Sequence, residues 1–175
     1  LNDFVSTDAI AASSWYLTAG TVSGLNHLEG QSVSIIVDGA VHPAKTVSNG
    51  SVTLDYQGSK VHVGLSYSGV LETMNLEGGG TTGPSQTKLK NLHKAAIRFR
   101  QTLGAKFGTD NYSLEQILFR STSSFLDRPA ELFSGDKEVN FKDTWARYKT
   151  VIIRQDSALP CVVQLISPYF STSNE

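Results

Sequence analysis

Ser32-Val33-Ser34-Ile35-Ile36-Val37-Asp38-Gly39-Ala40-Val41-His42-Pro43 has the pattern of a β-hairpin. Val33, Ile35, Ile36 and Val37 are β-branched and favour extended backbone. Asp38-Gly39 supplies the two positive-φ positions of a type I′ turn. The partner strand is expected to begin at Ala40 and to end at Pro43, which has no N–H for a ladder. Downstream, Thr46-Val47 and Ser51–Tyr56 flank Asn49-Gly50, a second hairpin signal. Val52, Leu54 and Tyr56 alternate with polar residues, and Val61, Val63 and Leu65 repeat the alternation after a turn at Gly58. Upstream, Val22–Gly30 reads as a glycine-flanked loop and Trp15–Thr18 as a short strand. Residues 20–76 are thus expected to form a small β-barrel or sandwich module, with residues 1–19 a connector or a strand from a preceding domain.

Glu77–Ser85 has nothing to bury and is rich in glycine, so residues 77–87 are expected to be a linker. Residues 88–170 then form a second β-rich, sandwich-like module, with residues 171–175 a tail. Ala95, Ile97, Phe99 and Leu103 lie on one face of a long strand, with Lys94, Arg98 and Arg100 on the other. Ser113 and Gln116 have capping-box spacing, which predicts one or two helical turns over 113–120. Residues 121–148 look irregular, with a turn at Ser134-Gly135-Asp136. Thr150–Arg154 and Cys161–Ile166 are expected to pair as a final hairpin around a turn at 156–160. The fold class read from the whole is mostly β.

Of the 175 residues, 39% are apolar and 18% charged, a balance that suits a packed core and a weakly charged surface. The chain opens at Leu1 without a basic and apolar leader, which is read as a fragment of something longer and not as a secreted start. One cysteine, Cys161, excludes an intrachain disulfide and a cysteine zinc site, and its apolar surroundings suit a small buried hydrophobe. No phosphate-binding loop, nucleophile elbow or His-Glu-x-x-His occurs. His27 and Glu29, with His42 or His62, offer too few ligand types for a metal site, and hydrogen-bonding loop residues are the simpler reading. Asn49 and Asn111 open sequon-like triplets, read as chance matches. The expectation is no enzyme, no catalytic residue, no metal and no cofactor.

Residues 1–85 carry two basic and seven acidic side chains, a net of −5, whereas residues 86–175 carry thirteen and nine, a net of +4. Lys88, Lys90, Lys94, Arg98, Arg100 and Lys106 span about twenty residues without an acidic one. In a fully extended segment the first five share a face. Solvent, an acidic neighbouring subunit and phosphates are the three candidate surroundings of this stripe. Phe99, within the stripe, falls on the opposite face of the strand, so no aromatic residue shares the basic face, which argues against a single-strand stacking groove.

Gly24-Leu25-Asn26-His27-Leu28-Glu29-Gly30-Gln31-Ser32-Val33-Ser34, running on to Val37–Pro43, resembles tail proteins of short-tailed bacteriophages. Val61–Tyr67, Leu132–Lys137, Val151–Asp156 and Leu159-Pro160 carry the resemblance on, so that it covers residues 20–170. It implies the C-terminal portion of a tail nozzle subunit in the virion, a homo-oligomeric ring of six, around a tube through which DNA is ejected. It implies adaptor and fibre proteins as further partners, transient contact with passing DNA, and proximity to the host surface. Residues 20–76 also resemble the first catalytic-cysteine half-domain of ubiquitin-activating enzymes. No activity follows, because the chain has no nucleotide-binding fingerprint and its cysteine lies outside that segment. A nozzle chain is longer, which implies a further N-terminal portion. The alternative expectation is a carbohydrate- or host-receptor-binding β module.

Overall fold

The Asp38-Gly39 turn forms as its residues dictate, with φ of 49° and 80° at its two central positions. The computed structural model describes residues 5–8, 19–80, 83–120 and 130–173. These are mostly strand, in antiparallel sheets, without an α-helix. Among the described residues six strands precede Ser66: β1 (Val5–Asp8), β2 (Ala19–Ser23), β3 (Ser32–Val37), β4 (Ala40–Thr46), β5 (Ser51–Gly58) and β6 (Lys60–Leu65). They form a four-stranded sheet in the order β1-β6-β3-β4 and a two-stranded β2-β5 ribbon. Neither closes, so the expected module is an open sandwich and not a barrel. The reason lies at Asn49-Gly50, where φ is again positive (52° and 63°) and a single Ser48–Ser51 bridge links β4 to β5 before they part into different sheets. Pro43 lies within β4 instead of ending it. β4 is an edge strand with a register shift opposite Val33–Ile35, where a missing N–H is tolerated. Val22, Leu25, Val33, Ile35, Val47, Val52, Val61 and Val63 make the core of this unit. Val5–Asp8 fall in the expected connector yet pair with β6, and Trp15–Thr18 lie outside the described residues.

The chain divides into two compact units, one of Leu1–Tyr67 with Ser123–Ala130 and Asp156–Leu159, the other of Ser68–Thr122, Glu131–Gln155 and Pro160–Glu175. The glycine-rich stretch therefore lies inside the second unit. Leu76, just before it, is buried in that unit's core, and β8 (Gly79–Gly80) and β9 (Gly83–Pro84) make a small hairpin of it. Gly78 N donates to Ser85 Oγ at 2.8 Å, which ties the hairpin's base. The remaining strands are β7 (Gly69–Glu72), β10 (Lys90–Thr102), β11 (Lys106–Gly108), β12 (Glu115–Gln116), β13 (Phe133–Asn140), β14 (Ile152–Gln155) and β15 (Val163–Thr172). One sheet runs β13-β10-β15 and another β12-β11-β14-β7. Their core holds Leu92, Ala95, Ile97, Phe99, Phe107, Val139, Val151 and Ile153.

Three local expectations give way here. Residues 113–120 hold β12 and no helix, because Asp110 Oδ1 accepts the N–H of Tyr112 and of Ser113 and fixes a side-chain-capped turn there. Ser134-Gly135-Asp136 lies within β13, where Gly135 (φ 144°) absorbs an irregularity in the ladder. The final hairpin does not form. β14 pairs with β7 and β11, while β15 pairs with β10, so the two apolar runs are satisfied in separate sheets.

Candidate subunit interface

The basic stripe depends on β10, and β10 does not keep one register. Leu92 pairs with Phe170 and Lys94 with the adjacent Tyr169, so His93 is an extra residue on the bulged strand. One inserted residue moves every later side chain to the other face. Lys90 and Leu92 point inward before the bulge; Ala95, Ile97 and Phe99 point inward after it. Lys90 is accordingly completely buried, its Nζ donating to the Arg147 carbonyl at 3.1 Å. The structure thus removes Lys90 from the expected common face. Lys88 lies before β10 in a turn where its N–H reaches Ser85 O, and Lys106 belongs to β11 in the other sheet.

What remains on the outer face is Lys94, Arg98 and Arg100. Lys94 Nζ lies 3.3 Å from Glu138 Oε2 and 4.9 Å from the centre of the Tyr169 ring. Arg98 makes a two-pronged contact with Asp136, Nε to Oδ1 at 2.7 Å and Nη2 to Oδ2 at 2.9 Å. That hydrogen bonding holds the Asp136 carboxyl below, and the Arg98 guanidinium above, its ordinary range. The Arg100 guanidinium has no carboxylate partner among the described residues. Leu165 and Tyr169 are exposed on the same face. The face is therefore mixed in charge and partly apolar, with one uncompensated cation. Such a surface suits orientation of a protein partner better than a grip on phosphates.

The other sequence candidates are dispersed. His27 is exposed in the short 3-10 turn Asn26–Leu28. The Glu29 carboxylate accepts Asn49 N at 2.9 Å and Gly50 N at 2.7 Å, clamping the second turn. His42 is buried, its Nδ1 at 2.8 Å from Pro43 O and its Nε2 accepting Asp55 N–H at 2.9 Å. His62 is on β6. Among the described residues, no three His, Cys, Asp or Glu side chains gather as metal ligands. Cys161 is partly buried against the second core, and burial pushes its thiol pKa up, the opposite of what activates a nucleophile.

Sequence reading missed two features. One is a buried ion pair, Lys149 Nζ to Asp143 Oδ1 at 2.6 Å, with both side chains nearly inaccessible. The other is an open cleft of about 240 Å³ whose lining includes Phe107, Asp110, Glu115, Asn140, Phe141 and Lys142. Its residues come from two stretches, 107–115 and 140–144, and no periodicity signals their meeting. No protein-family description matches the chain, and no curated protein does.

Proposed function

We propose that the chain is a structural, non-enzymatic subunit of the tail of a short-tailed bacteriophage, part of the nozzle tube through which DNA leaves. The observation that carries this reading is the ordered set of resemblances over residues 20–170, from Gly24–Pro43 to Val151–Pro160. The architecture agrees with it: two units of antiparallel sheet whose buried polar groups are spent on holding turns and strands. A tube of copies needs two different complementary patches on each protomer. The outer face of β13-β10-β15, with Arg100 uncompensated and Leu165 and Tyr169 exposed, supplies one of them. Net charges of −5 and +4 in the two halves of the chain would orient neighbouring copies head to tail. On this reading the copies close into a ring of six, joined to adaptor and fibre proteins.

The cleft favours a second reading, a receptor- or carbohydrate-binding module. The cleft's lining combines Phe107 and Phe141 with carboxylate, amide and ammonium groups, a mixture that suits a sugar's apolar faces and hydroxyls. Imaging of particles with an antibody against the chain separates the two. Label at the distal tube, in copies matching its rotational symmetry, is the expected result. Label on fibres or absent from virions would refute the nozzle.

A further inference from the structure

We propose that Asn49-Gly50 is a latent modification site, set to convert to aspartate and isoaspartate, and that the Glu29 carboxylate is the group that holds it unreacted. The inference stands apart from the tail reading and rests on the first unit alone.

Asn49-Gly50 is the one Asn-Gly pair in the chain. Its chemistry is a ring closure. Gly50 N gives its proton to a base in solvent and bonds to Asn49 Cγ, while the Cγ–Nδ2 bond breaks and releases ammonia. Water then opens the succinimide at either carbonyl, leaving aspartate from one opening and isoaspartate from the other. Water is exchanged for ammonia, and nothing is oxidised or reduced. Glycine at the second position speeds the closure, because no Cβ crowds the attacking nitrogen.

The fold cannot remove the hazard by substitution at position 50. Gly50 has φ of 63°, and a Cβ built there would collide with Asn26 Oδ1. Asn49 has φ of 52°, which asparagine tolerates better than most residues. Its side chain is exposed, so water reaches it. The turn between β4 and β5 therefore carries a reactive pair because its backbone demands one.

Glu29 answers this. Its Oε2 accepts Gly50 N–H at 2.7 Å and its Oε1 accepts Asn49 N–H at 2.9 Å. The first of these bonds engages the proton that ring closure must remove. A hydrogen bond to a carboxylate is a strong one, and the nearby negative charge disfavours the amide anion. Backbone bonds fix the carboxylate's position, with Glu29 N–H reaching Asn26 O at 3.4 Å and Gly30 N–H reaching Val47 O at 3.1 Å. The Gly50 carbonyl is held as well, by Leu25 N–H at 2.9 Å, so the peptide group is anchored at both its polar ends. Gly39 takes the same place in the first turn, yet it is exposed and no carboxylate caps its N–H among the described residues.

The test follows Asn49 in the whole chain during incubation at mildly alkaline pH. Peptide mapping reads the mass gain of deamidation, and enzymatic methyl transfer reads isoaspartate. A capped peptide of residues 47–52 supplies the unprotected rate. The unaltered chain should react at least about tenfold more slowly than the peptide, and Glu29→Gln should recover most of that difference. His42→Phe, which loosens the same unit with Glu29 in place, should change the rate by less than about twofold. Should Glu29→Gln not fold, hydroxide-catalysed exchange in the unaltered chain decides: the Gly50 amide should exchange at least about tenfold more slowly than that of Gly39, and equal rates overturn the proposal. A chain that reacts as fast as the peptide also overturns it, and so does a Glu29→Gln rate no higher than that of the unaltered chain. Equal acceleration by His42→Phe and Glu29→Gln does so too, since general loosening would then account for the protection.

Discussion

His42 is held by both ring nitrogens: with the proton on Nδ1 it donates to Pro43 O, and Nε2 is left to accept from Asp55 N. Nitrogen NMR of the ring at neutral pH should therefore report the Nδ1–H tautomer. His42→Phe, which keeps the packing against Tyr56 but orphans Asp55 N–H, should cost about 1–2 kcal/mol in denaturant melts. Asp38 is a second turn anchor. Partial burial raises its pKa, but N–H donation from Lys60 and the N–H and hydroxyl of Ser59 outweigh burial, and the net displacement is downward. A carboxyl whose pKa is lower folded than unfolded contributes stability that is complete above the unfolded value, about 3.9. That contribution is lost as pH falls through the folded value. Asp38→Asn should lower the melting temperature at pH 7 and flatten its decline on acidification; an unchanged acid limb would show that Asp38 does not drive it. Both turns were legible in the sequence because Asp38-Gly39 and Asn49-Gly50 state their own φ requirements. The side chains that clamp them, Asp38 on Ser59 and Glu29 on Gly50, were not, since each acts across about twenty residues.

At the scale of the strand, β10 shows why alternation can mislead. Of the inward run Ala95, Ile97, Phe99 and Leu103, the first three are buried as read, but Leu103 lies past the end of β10, where the register shift after Phe99 leaves Thr102 as the buried residue. The bulge at His93 was not readable, because no glycine or proline announces it, and it turned one member of the supposed cationic face into a core residue. Lys90→Met should remain folded, since the stem keeps its packing and only the Arg147 carbonyl loses a donor. Lys90→Glu buries an unpaired carboxylate and should cost about 3–5 kcal/mol. Equal stability of the two variants by thermal melting would contradict the buried placement. The missing final hairpin has the same origin: Ile152 and Ile153 are both buried, so β14 is a central strand needing two neighbours, and sequence proximity could supply neither.

Over the whole molecule, the mostly β class was legible from β-branched runs and Asp-Gly and Asn-Gly turns. The division into units was not legible: the first crossing falls at Tyr67–Ser68 and later segments return to the first unit, whereas glycines suggest a linker whether or not a hairpin uses them. The charge asymmetry survives as composition, yet much of the expected basic surface is neutralised within its own sheet by Glu138 and Asp136. Arg100→Glu is then the informative reversal: it should weaken self-association more than Arg98→Glu combined with Asp136→Arg, which restores the pair with its signs exchanged. Equal effects would remove the β13-β10-β15 face from the contact. Whether the chain is an assembly subunit is tested by native mass and electron imaging of the purified chain across concentration. A closed homo-oligomeric ring, six copies around an open channel, is the predicted result. A monomer at the highest soluble concentration, or a closed two-fold dimer with no channel, would contradict it.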